Sequence, residues 1–305
     1  MVIVHSRQRD DTTVEIIEWL QAMGKSFFRV NTLADLEFLQ NAVKNQEVKS
    51  VYLNGSGMMQ RHLKTDEAIL DFQFSEYIAK EAEAVWYNIF SESLAGIKRF
   101  GQVPMSQAIV NKLMILRLAR SLKFNVPDYE IVYRKARLAE LLREWNRIIC
   151  KPMVDGISIF TDRYIISGQR TEEITEEQIG HFNDTFPPTF VQKLIEKAFE
   201  VRAFYFNGKI YAIAIFTQAN ESSKIDGREI DRKMPQRRVP FNLPDSIQEE
   251  VAAMIELLNI NYGSFDFIVS PDNTFHFLEV NPFGQYGFLS KAGNFYIEKE
   301  IAEYL

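Results

Sequence analysis

The sequence predicts a mixed fold in which an α/β unit is followed by α+β units built on antiparallel sheet. Short apolar runs alternate with amphipathic helical segments over residues 2–54, which is typical of a sheet with some parallel strands. Further along, runs rich in β-branched and aromatic residues flank turns at Asn207-Gly208 and Pro271-Asp272-Asn273, which indicates hairpins. With 305 residues, the chain is long enough for about two or three compact units.

Composition excludes several classes of protein. The chain is 46% hydrophobic and 25% charged, and its net charge of −6 argues against general nucleic-acid binding. The single cysteine, Cys150, excludes an intrachain disulfide, favours a reducing compartment and is expected to pack as a small apolar side chain. The start of the chain does not resemble a signal peptide, and the longest apolar run, about 210–216, is far short of the roughly 20 residues of a membrane span. We therefore expect a cytoplasmic protein.

The N-terminal elements follow a strand–helix–strand pattern. The predicted elements are strands at 2–4, 27–30 and 51–53, a helix at 12–23 that ends at Gly24, and a helix at 35–43. The turn Gly55-Ser56-Gly57 lacks the third glycine and the Lys-Ser/Thr of a phosphate loop, so we favour a simple tight turn. Residues 66–100 are predicted to be largely helical, and their aromatic side chains favour core or inter-domain packing over a ligand site.

The middle of the chain predicts a compact α+β unit that contains two lysines of interest. Ser106 is predicted to introduce a helix that carries Lys112, which in isolation is best explained as an exposed helical lysine. The elements predicted after it are strands at 129–133, 147–153, 157–160, 163–166 and 189–195 and helices at 135–144 and 172–184. Lys151 interrupts an apolar strand, so its ammonium must find an anion or reach water. Together with Lys112 it could place two cations on one polyphosphate.

The second half combines a hairpin, a basic loop and further helices. The predicted elements are strands at 199–206 and 209–216, a helix at 245–258 and, after a loop at 284–287, a final helix at about 294–304. Arg202, inside the first of these strands, must pair with an anion or a carboxylate. Residues 217–240 are polar and carry more basic than acidic side chains, so they form either a solvated loop or a mobile loop that grips an anion.

The last hairpin, predicted from strands at 263–269 and 275–282, carries the residues most suggestive of chemistry. Strict alternation predicts that one face of its second strand carries Phe275, Phe277, Glu279 and Asn281. Asp266 on the first strand could reach the same place. Carboxylates on a rigid apolar hairpin are costly to bury without a partner, and a magnesium ion that also binds phosphates is a natural one. The alternative is an edge hairpin with solvated carboxylates.

These motifs occur together in an order and spacing that is far more specific than any one of them. The set comprises Asn111-Lys112-xxx-Leu116-Arg117-Leu118-Ala119, Lys151-Pro152, Gln192-Lys193-Leu194-Ile195, Glu200-Val201-Arg202, Asp226-x-Arg228, Asp266 and Leu278-Glu279-Val280-Asn281-Pro282-Phe283-Gly284-Gln285. Over nearly the whole chain it resembles the ATP-grasp superfamily, and within it the graspetide peptide ligases of the microviridin and grasp-with-spasm type. That resemblance implies an ATP-grasp fold with an N-terminal pre-ATP-grasp α/β domain (1–105), a central lid and leader-recognition domain (106–195) and a C-terminal antiparallel-sheet catalytic domain (196–305).

The resemblance also implies roles for individual residues. Those for nucleotide and metal are Lys112 and Lys151 on the ATP phosphates, the backbone of Gln192, Lys193 and Leu194 on adenine, and Asp266, Glu279 and Asn281 on magnesium. Arg202 and Arg228 would face the acyl phosphate and the transferred phosphoryl group, with Asp226 as a further catalytic residue. The chain departs from the family pattern at two places. Gly156 is the single glycine where relatives have a glycine-rich flap, and Gly227 replaces an aromatic residue.

The activity implied is ATP-dependent ligation within a ribosomal precursor peptide made of leader and core segments. An Asp or Glu side chain would be activated as an acyl phosphate and then joined to a Ser or Thr hydroxyl or a Lys amine, which closes a macrocycle. Relatives are commonly homodimers, and they recognise the leader through the central domain. Glu176 and Glu177 on helix 172–184 are candidate leader contacts, although a solvated helix face explains them equally simply. Two alternatives remain open: a ligase for free amino acids or for glutamate addition to a protein tail, and a non-catalytic nucleotide-binding regulatory protein.

Overall fold

The computed structural model of the protein describes all of the chain except residues 7–9, 31–34, 55–76, 79–80, 82–83, 86–87, 103–110, 154–158, 161–164, 167–170 and 219–235, and describes only the backbone of 159–160 and 165–166. The chain divides into two compact units. The first contains Met1–Ser106, Asn259–Gly263 and Pro282–Leu305, and the second contains Gln107–Leu258 and Ser264–Asn281. The division into three domains stays a prediction.

The elements are numbered in chain order. The strands are β1 (Val2–Ser6), β2 (Phe27–Val30), β3 (Ser50–Asn54), β4 (Lys98–Phe100), β5 (Tyr129–Arg134), β6 (Ile148–Lys151), β7 (Ile159–Phe160), β8 (Ile165–Ile166), β9 (Glu172–Ile174), β10 (Thr185–Lys193), β11 (Phe199–Phe206), β12 (Lys209–Phe216), β13 (Arg237–Pro240), β14 (Tyr262–Val269) and β15 (Phe275–Asn281). The α-helices are α1 (Asp11–Ala22), α2 (Asp35–Lys44), α3 (Lys112–Ser121), α4 (Lys135–Trp145), α5 (Glu176–Gly180), α6 (Asp245–Leu258), α7 (Gly287–Gly293) and α8 (Ile297–Tyr304), and a π-helix spans Ile89–Ser93. Within the part of the chain that the structure describes, there is no helix with the length and apolarity needed to cross a membrane.

The first unit is built on a parallel sheet with the strand order β2-β1-β3-β4. Its two central strands, β1 and β3, are almost wholly buried, as expected when helices cover a parallel sheet. Asp10 begins α1 by accepting a hydrogen bond from the amide of Thr13 at 3.2 Å, and Gly24 follows the helix with a positive φ of 68°. The α/β pattern predicted for residues 2–54 is therefore confirmed.

The C-terminal segment completes the first unit. Lys25 donates hydrogen bonds of 2.9 Å to the carbonyls of Ala302 and Glu303, which satisfies acceptors at the end of α8. The core of the first unit contains Tyr52 and Tyr286, whose hydroxyls are 2.9 Å apart and fully buried. Burial raises the pKa of the Tyr52 phenol, so this pair stays neutral at physiological pH.

The second unit contains two antiparallel sheets and a short hairpin. The first sheet has the order β5-β10-β6-β9. Helix α4 packs against this sheet through a core that includes Val132, Leu138 and Val191. The second has the order β13-β12-β11-β14-β15, and β7 pairs with β8 separately. The turn between β11 and β12 uses Asn207 and Gly208 at positive φ, as a type I′ hairpin requires.

The helix that carries Lys112 begins later than predicted. Asn111 has an extended backbone and its side chain accepts a hydrogen bond from the amide of Met114 at 3.1 Å, so it is the N-cap. Lys112 is therefore the first residue of α3, and the expectation that Ser106 introduces this helix is wrong. A serine and an asparagine cap equally well, which left the choice between them to the rest of the fold.

Residues 172–184 are not one helix. Glu172–Ile174 form β9, which pairs with β6 and buries Ile174, while Glu173 accepts two hydrogen bonds from Arg147 at 2.6 and 2.7 Å. A capping box at Thr175 then starts the short helix α5. Here the pairing with a neighbouring strand outweighs the helical preference of an acidic segment.

Three further boundaries differ from the predictions. β10 begins at Thr185 and runs through Pro187 and Pro188, where its pairing with β5 shifts register because proline cannot donate a ladder hydrogen bond. Arg237–Pro240 form an edge strand rather than part of a loop, and Lys98–Phe100 form a strand rather than the end of a helix. Helix α7 was not predicted, and the Gly55-Ser56-Gly57 turn lies outside the described residues.

Candidate active site

A β-bulge sets which side chains of the last hairpin face the same way. β14 and β15 pair antiparallel, and the direct partners are Ser264 with Asn281, Phe265 with Val280, Asp266 with Glu279 and Phe267 with Phe277. The pairing skips Leu278, which is thus an extra residue on β15. One extra residue reverses the alternation of side chains along the strand.

Because of the bulge, the side chains that share a face of β15 differ from those predicted. Phe277 lies on the buried face with Val280, whereas Glu279 lies on the opposite face. The expectation that Phe275 and Phe277 share a face with Glu279 and Asn281 is wrong, because it assumed an unbroken strand. Glu279 and Asn281 keep a common face because both follow the bulge.

The polar face of the hairpin collects oxygen donors from both strands. Asp266 and Glu279 are direct cross-strand partners, and Asn281 is two residues further along β15. The Asp266 carboxylate lies 3.2 Å from Nε of Arg202 on the adjacent strand β11. The need of Arg202 for a negatively charged partner is thus met within the sheet, and both side chains remain about a quarter exposed, at 22% and 24%.

Lys112 also approaches this face. Its ammonium donates a hydrogen bond to the carbonyl of Pro152 at 2.9 Å and lies 4.0 Å from the carboxylate of Glu279. Its side chain is 19% exposed, so the interpretation of Lys112 as an exposed helical lysine is wrong. Because α3 begins at this residue, the late start of the helix is what places the ammonium beside Glu279.

Lys151 lies on β6, directly before Pro152. Its ammonium donates a hydrogen bond of 2.9 Å to the side-chain carbonyl of Gln192 on β10, and Gln192 is 2% exposed. The bond to Pro152 from Lys112 therefore anchors the helix start to the chain segment that carries the second lysine. The two lysines predicted to bind phosphate thus come from different elements, α3 and β6, and Lys112 is hydrogen-bonded to the residue that follows Lys151.

The backbone of the predicted adenine segment is already engaged in the sheet. The amide of Lys193 donates to the carbonyl of Asp128 at 2.8 Å, and the amide of Leu194 donates to the carbonyl of Arg147 at 3.0 Å. These bonds hold the end of β10 between two neighbouring segments. A base that needed either amide as a donor would have to displace the existing bond.

The remaining predicted site residues fall into two groups. Asp226 and Arg228 lie outside the described residues. Glu176 and Glu177 are exposed on the first turn of α5, which suits both a peptide contact and a solvated helix face.

Burial raises the pKa of the Cys150 thiol, with a smaller contribution from the charge of Glu172, so this cysteine is a weak nucleophile, as expected.

Two features near the site were missed by sequence reasoning. Ser264 is buried on the polar face of β14, opposite Asn281, and the period of two from Asp266 was the signal that could have found it. Glu200 precedes Arg202 by two residues on β11 and forms an ion pair with the buried ammonium of Lys197. A lysine three residues before a glutamate is too common a pattern to have indicated this pair.

Magnesium fits the donor chemistry of the hairpin face. Across the described residues, no three His, Cys, Asp or Glu side chains are grouped to hold a metal ion, and the hairpin face adds the amide oxygen of Asn281 to its two carboxylates. Two carboxylates and an amide oxygen are hard ligands of the kind that magnesium prefers, and the ion usually completes its shell with water and phosphate oxygens. The nearby Arg202 and Lys112 would compensate the carboxylates when no cation is bound.

No protein-family model and no curated protein sequence matches the chain, but solved structures do. The macrocyclase MdnC from Microcystis aeruginosa MRC, bound with precursor peptide MdnA, matches with a TM-score of 0.77 at 24% identity, covering 100% of this chain and 99% of that one. A RiPP-associated ATP-grasp ligase from Chryseobacterium gregarium, in complex with ADP and a leader and core peptide, matches with a TM-score of 0.78 at 18% identity, covering 100% and 96%. The ATP-grasp ligase PsnB, complexed with a variant of its minimal precursor, Mg and ADP, matches with a TM-score of 0.71 at 16% identity, covering 99% and 96%.

The chain has the ATP-grasp fold. The mixed α/β and α+β fold class expected from the sequence is therefore confirmed over the whole chain. In this ATP-grasp fold the polar hairpin face, Arg202, Lys112 and the Lys151–Gln192 pair all belong to the second compact unit. The fold explains why residues from six elements that are far apart in sequence meet in one unit.

Proposed function

We propose that the protein is an ATP- and magnesium-dependent ligase that closes macrocycles in a ribosomal precursor peptide. It would join an Asp or Glu side chain to a Ser or Thr hydroxyl, giving an ester, or to a Lys amine, giving an amide. The single observation that carries the proposal is the hairpin face on which Asp266 and Glu279 are direct partners with Arg202 and Lys112 alongside. Such a face combines ligands for a phosphate-bound cation with cations for a phosphoryl group.

We assign the nucleotide phosphates to Lys112 and Lys151. The Lys112 ammonium donates to the carbonyl of Pro152 and lies 4.0 Å from the Glu279 carboxylate, and the Lys151 ammonium donates to the amide oxygen of Gln192. The segment from Gln192 to Leu194 is assigned to the adenine, in agreement with the family resemblance. Because the amides of Lys193 and Leu194 are engaged, we expect this contact to involve other atoms of the segment.

Asp266, Glu279 and Asn281 are assigned as the magnesium ligands. When bound, magnesium would supply charge neutralisation and orientation of the phosphate oxygens. Arg202 lies 3.2 Å from Asp266, and we assign it to the transferred phosphoryl group, which it would contact once that carboxylate turns to a cation. Arg228 and Asp226 keep their catalytic assignment as proposals, since they lie outside the described residues.

The chemistry consists of two displacements. A carboxylate oxygen of the peptide attacks the terminal phosphorus of ATP, and ADP leaves, which gives an acyl phosphate. A hydroxyl or amine of the same peptide then attacks the acyl carbon, loses its proton and expels inorganic phosphate. Each ring therefore consumes one ATP and removes the elements of one water molecule, and the protein contributes mainly positioning and charge.

The peptide substrate is proposed from the similar structures, which contain precursor, leader or core peptides. We assign leader recognition to the region around α5, with Glu176 and Glu177 as exposed carboxylates available to a basic residue of the leader. In accordance with the graspetide resemblance, we further propose that the protein acts in the cytoplasm as a homodimer.

Intact mass spectrometry of a precursor peptide encoded beside this protein, after incubation with ATP and magnesium, tests the proposal. We expect the peptide to lose the mass of one water molecule for each ring formed. Glu279→Gln should reduce the rate at least about a hundredfold, as expected for loss of a charged metal ligand, whereas the matched change Glu249→Gln at an exposed position of α6 should have no effect.

Other outcomes would point to the alternatives. ADP release with free amino acids, without any change in peptide mass, would assign a small-molecule ligase instead. Nucleotide binding with no turnover of ATP on either kind of acceptor would leave a regulatory nucleotide-binding protein.

A further inference from the structure

Ser264 lies on the polar hairpin face and has no role in the proposed function. It lies two residues before Asp266, so both side chains leave β14 on the same side, and it is the direct cross-strand partner of Asn281. The residue is 1% exposed. Among the residues that the structure describes, none gives its hydroxyl a hydrogen-bond partner.

A buried hydroxyl without a partner is unfavourable, so the position calls for an explanation. Asn281 offers one, because it stands directly opposite and carries both an acceptor oxygen and a donor NH₂ group. When the amide oxygen of Asn281 turns to a cation, its NH₂ group must turn away from that cation. The nearest side chain across the strand is then the hydroxyl of Ser264, which can accept a hydrogen bond from the NH₂ group.

We propose that Ser264 is a positioning residue that orients the Asn281 amide so that its oxygen faces the metal ion. The inference rests on the proposed function, because it needs Asn281 to be a metal ligand. Hydrogen bonds behind a metal ligand fix its orientation and typically change metal affinity by about 10–100-fold when removed. The orphan hydroxyl thus gains its partner only in the loaded state, and part of the metal affinity comes from satisfying it.

Manganese binding to the whole protein in the presence of ADP measures this directly, since Mn²⁺ is a paramagnetic substitute for Mg²⁺ and ADP does not turn over. We expect Ser264→Ala to weaken Mn²⁺ binding about tenfold. Ser264→Thr, which keeps the hydroxyl in a strand that favours β-branched residues, should restore most of the affinity. The melting temperature of the metal-free Ser264→Ala protein should be unchanged or higher, because the change removes an unsatisfied polar atom.

A double-mutant cycle identifies the partner. In an Asn281→Ala background, Ser264→Ala should cause no further loss of Mn²⁺ affinity, since the amide that it orients is gone. Ser270→Ala provides the matched control: that hydroxyl, at the other end of the same hairpin, already bonds Asp272 and the carbonyl of Thr274, so its loss should lower the melting temperature and leave Mn²⁺ affinity intact.

Each remaining outcome contradicts a definite statement. If the wild-type protein binds Mn²⁺ with ADP but Ser264→Ala binds it equally well, the positioning role is wrong and the proposed function stands. An equal loss in the wild-type and Asn281→Ala backgrounds would show that Ser264 acts through something other than Asn281. If the wild-type protein does not bind Mn²⁺ with ADP at all, the metal assignment of the hairpin fails and this inference fails with it.

Discussion

Lys151 and Gln192 form a pair in which the partner of a buried-strand lysine is neutral. The ammonium donates a hydrogen bond of 2.9 Å to the amide oxygen. A carboxylate in place of Gln192 would form an ion pair and compete with any phosphate. An amide at this position fixes the direction of the lysine side chain without adding a negative charge beside it.

Replacing Lys151 tests its assignment to the nucleotide. Lys151→Met keeps the apolar stem and removes the charge, so ADP affinity should fall about tenfold or more, which corresponds to the loss of one charge-assisted hydrogen bond to phosphate. Isothermal titration calorimetry with ADP and magnesium measures the change. Lys44→Met, at an exposed position in the last turn of α2, is the control and should bind ADP as the wild type does. Equal affinities of all three proteins would remove Lys151 from the site.

At the scale of single residues, the sequence predicted the charged groups better than their partners. The carboxylates Asp266 and Glu279 and the cation Arg202 stand out because charge in an apolar strand is costly and demands an explanation. Ser264 carries no charge and gave no such signal. The carbonyl of Pro152, which holds Lys112, belongs to the backbone and is invisible to side-chain reasoning.

At the scale of elements, the hairpin β14–β15 shows how a correct conclusion can rest on a wrong reason. Glu279 and Asn281 were expected to share a face, and they do, but the phenylalanine before them lies on the other face because Leu278 is an extra residue. The bulge shifts the pairing of β14 with β15 by one residue, so the strand can pair in either of two registers. The choice depends on burying Phe277 and Val280 together, which requires knowledge of the rest of the sheet.

The free energy of unfolding is expected to depend on pH through His5. His5 is buried on β1 and its Nδ1 lies 2.9 Å from the carbonyl of Val30 on β2, while burial lowers its pKa from the ordinary value of 6.5. Below that value the unfolded chain binds more protons than the folded one, so the free energy of unfolding should decrease as pH falls. This contribution is fully present above pH 6.5 and is lost as pH falls toward the lowered pKa.

Urea denaturation at about pH 7.5 and about pH 5.5 measures this contribution. His5→Asn, which keeps a donor for the Val30 carbonyl and cannot titrate, should show a smaller drop in the free energy of unfolding between the two values than the wild type. His181→Asn, at an exposed position after α5, is the matched control and should show the same drop as the wild type. An identical drop in His5→Asn and the wild type would contradict the assignment.

At the scale of the whole molecule, the alternation of strands and helices was enough to predict the fold class. The parts that could not be predicted are those in which distant segments decide. Pairing with β6 makes a strand of Glu172–Ile174, and pairing with β12 makes a strand of Arg237–Pro240. Likewise, the return of residues 282–305 to the first unit is a long-range event that local patterns do not report.

The proposed function depends on one chemical event, the transfer of a phosphoryl group to a peptide carboxylate. A precursor peptide whose Asp and Glu side chains carry a heavy oxygen isotope, processed in ordinary water, tests this event directly. We predict that each ring releases one inorganic phosphate that contains one heavy oxygen atom, because the carboxylate oxygen that attacked phosphorus leaves with it. Rings formed with unlabelled phosphate, or with AMP and pyrophosphate as products, would contradict carboxylate activation by this route.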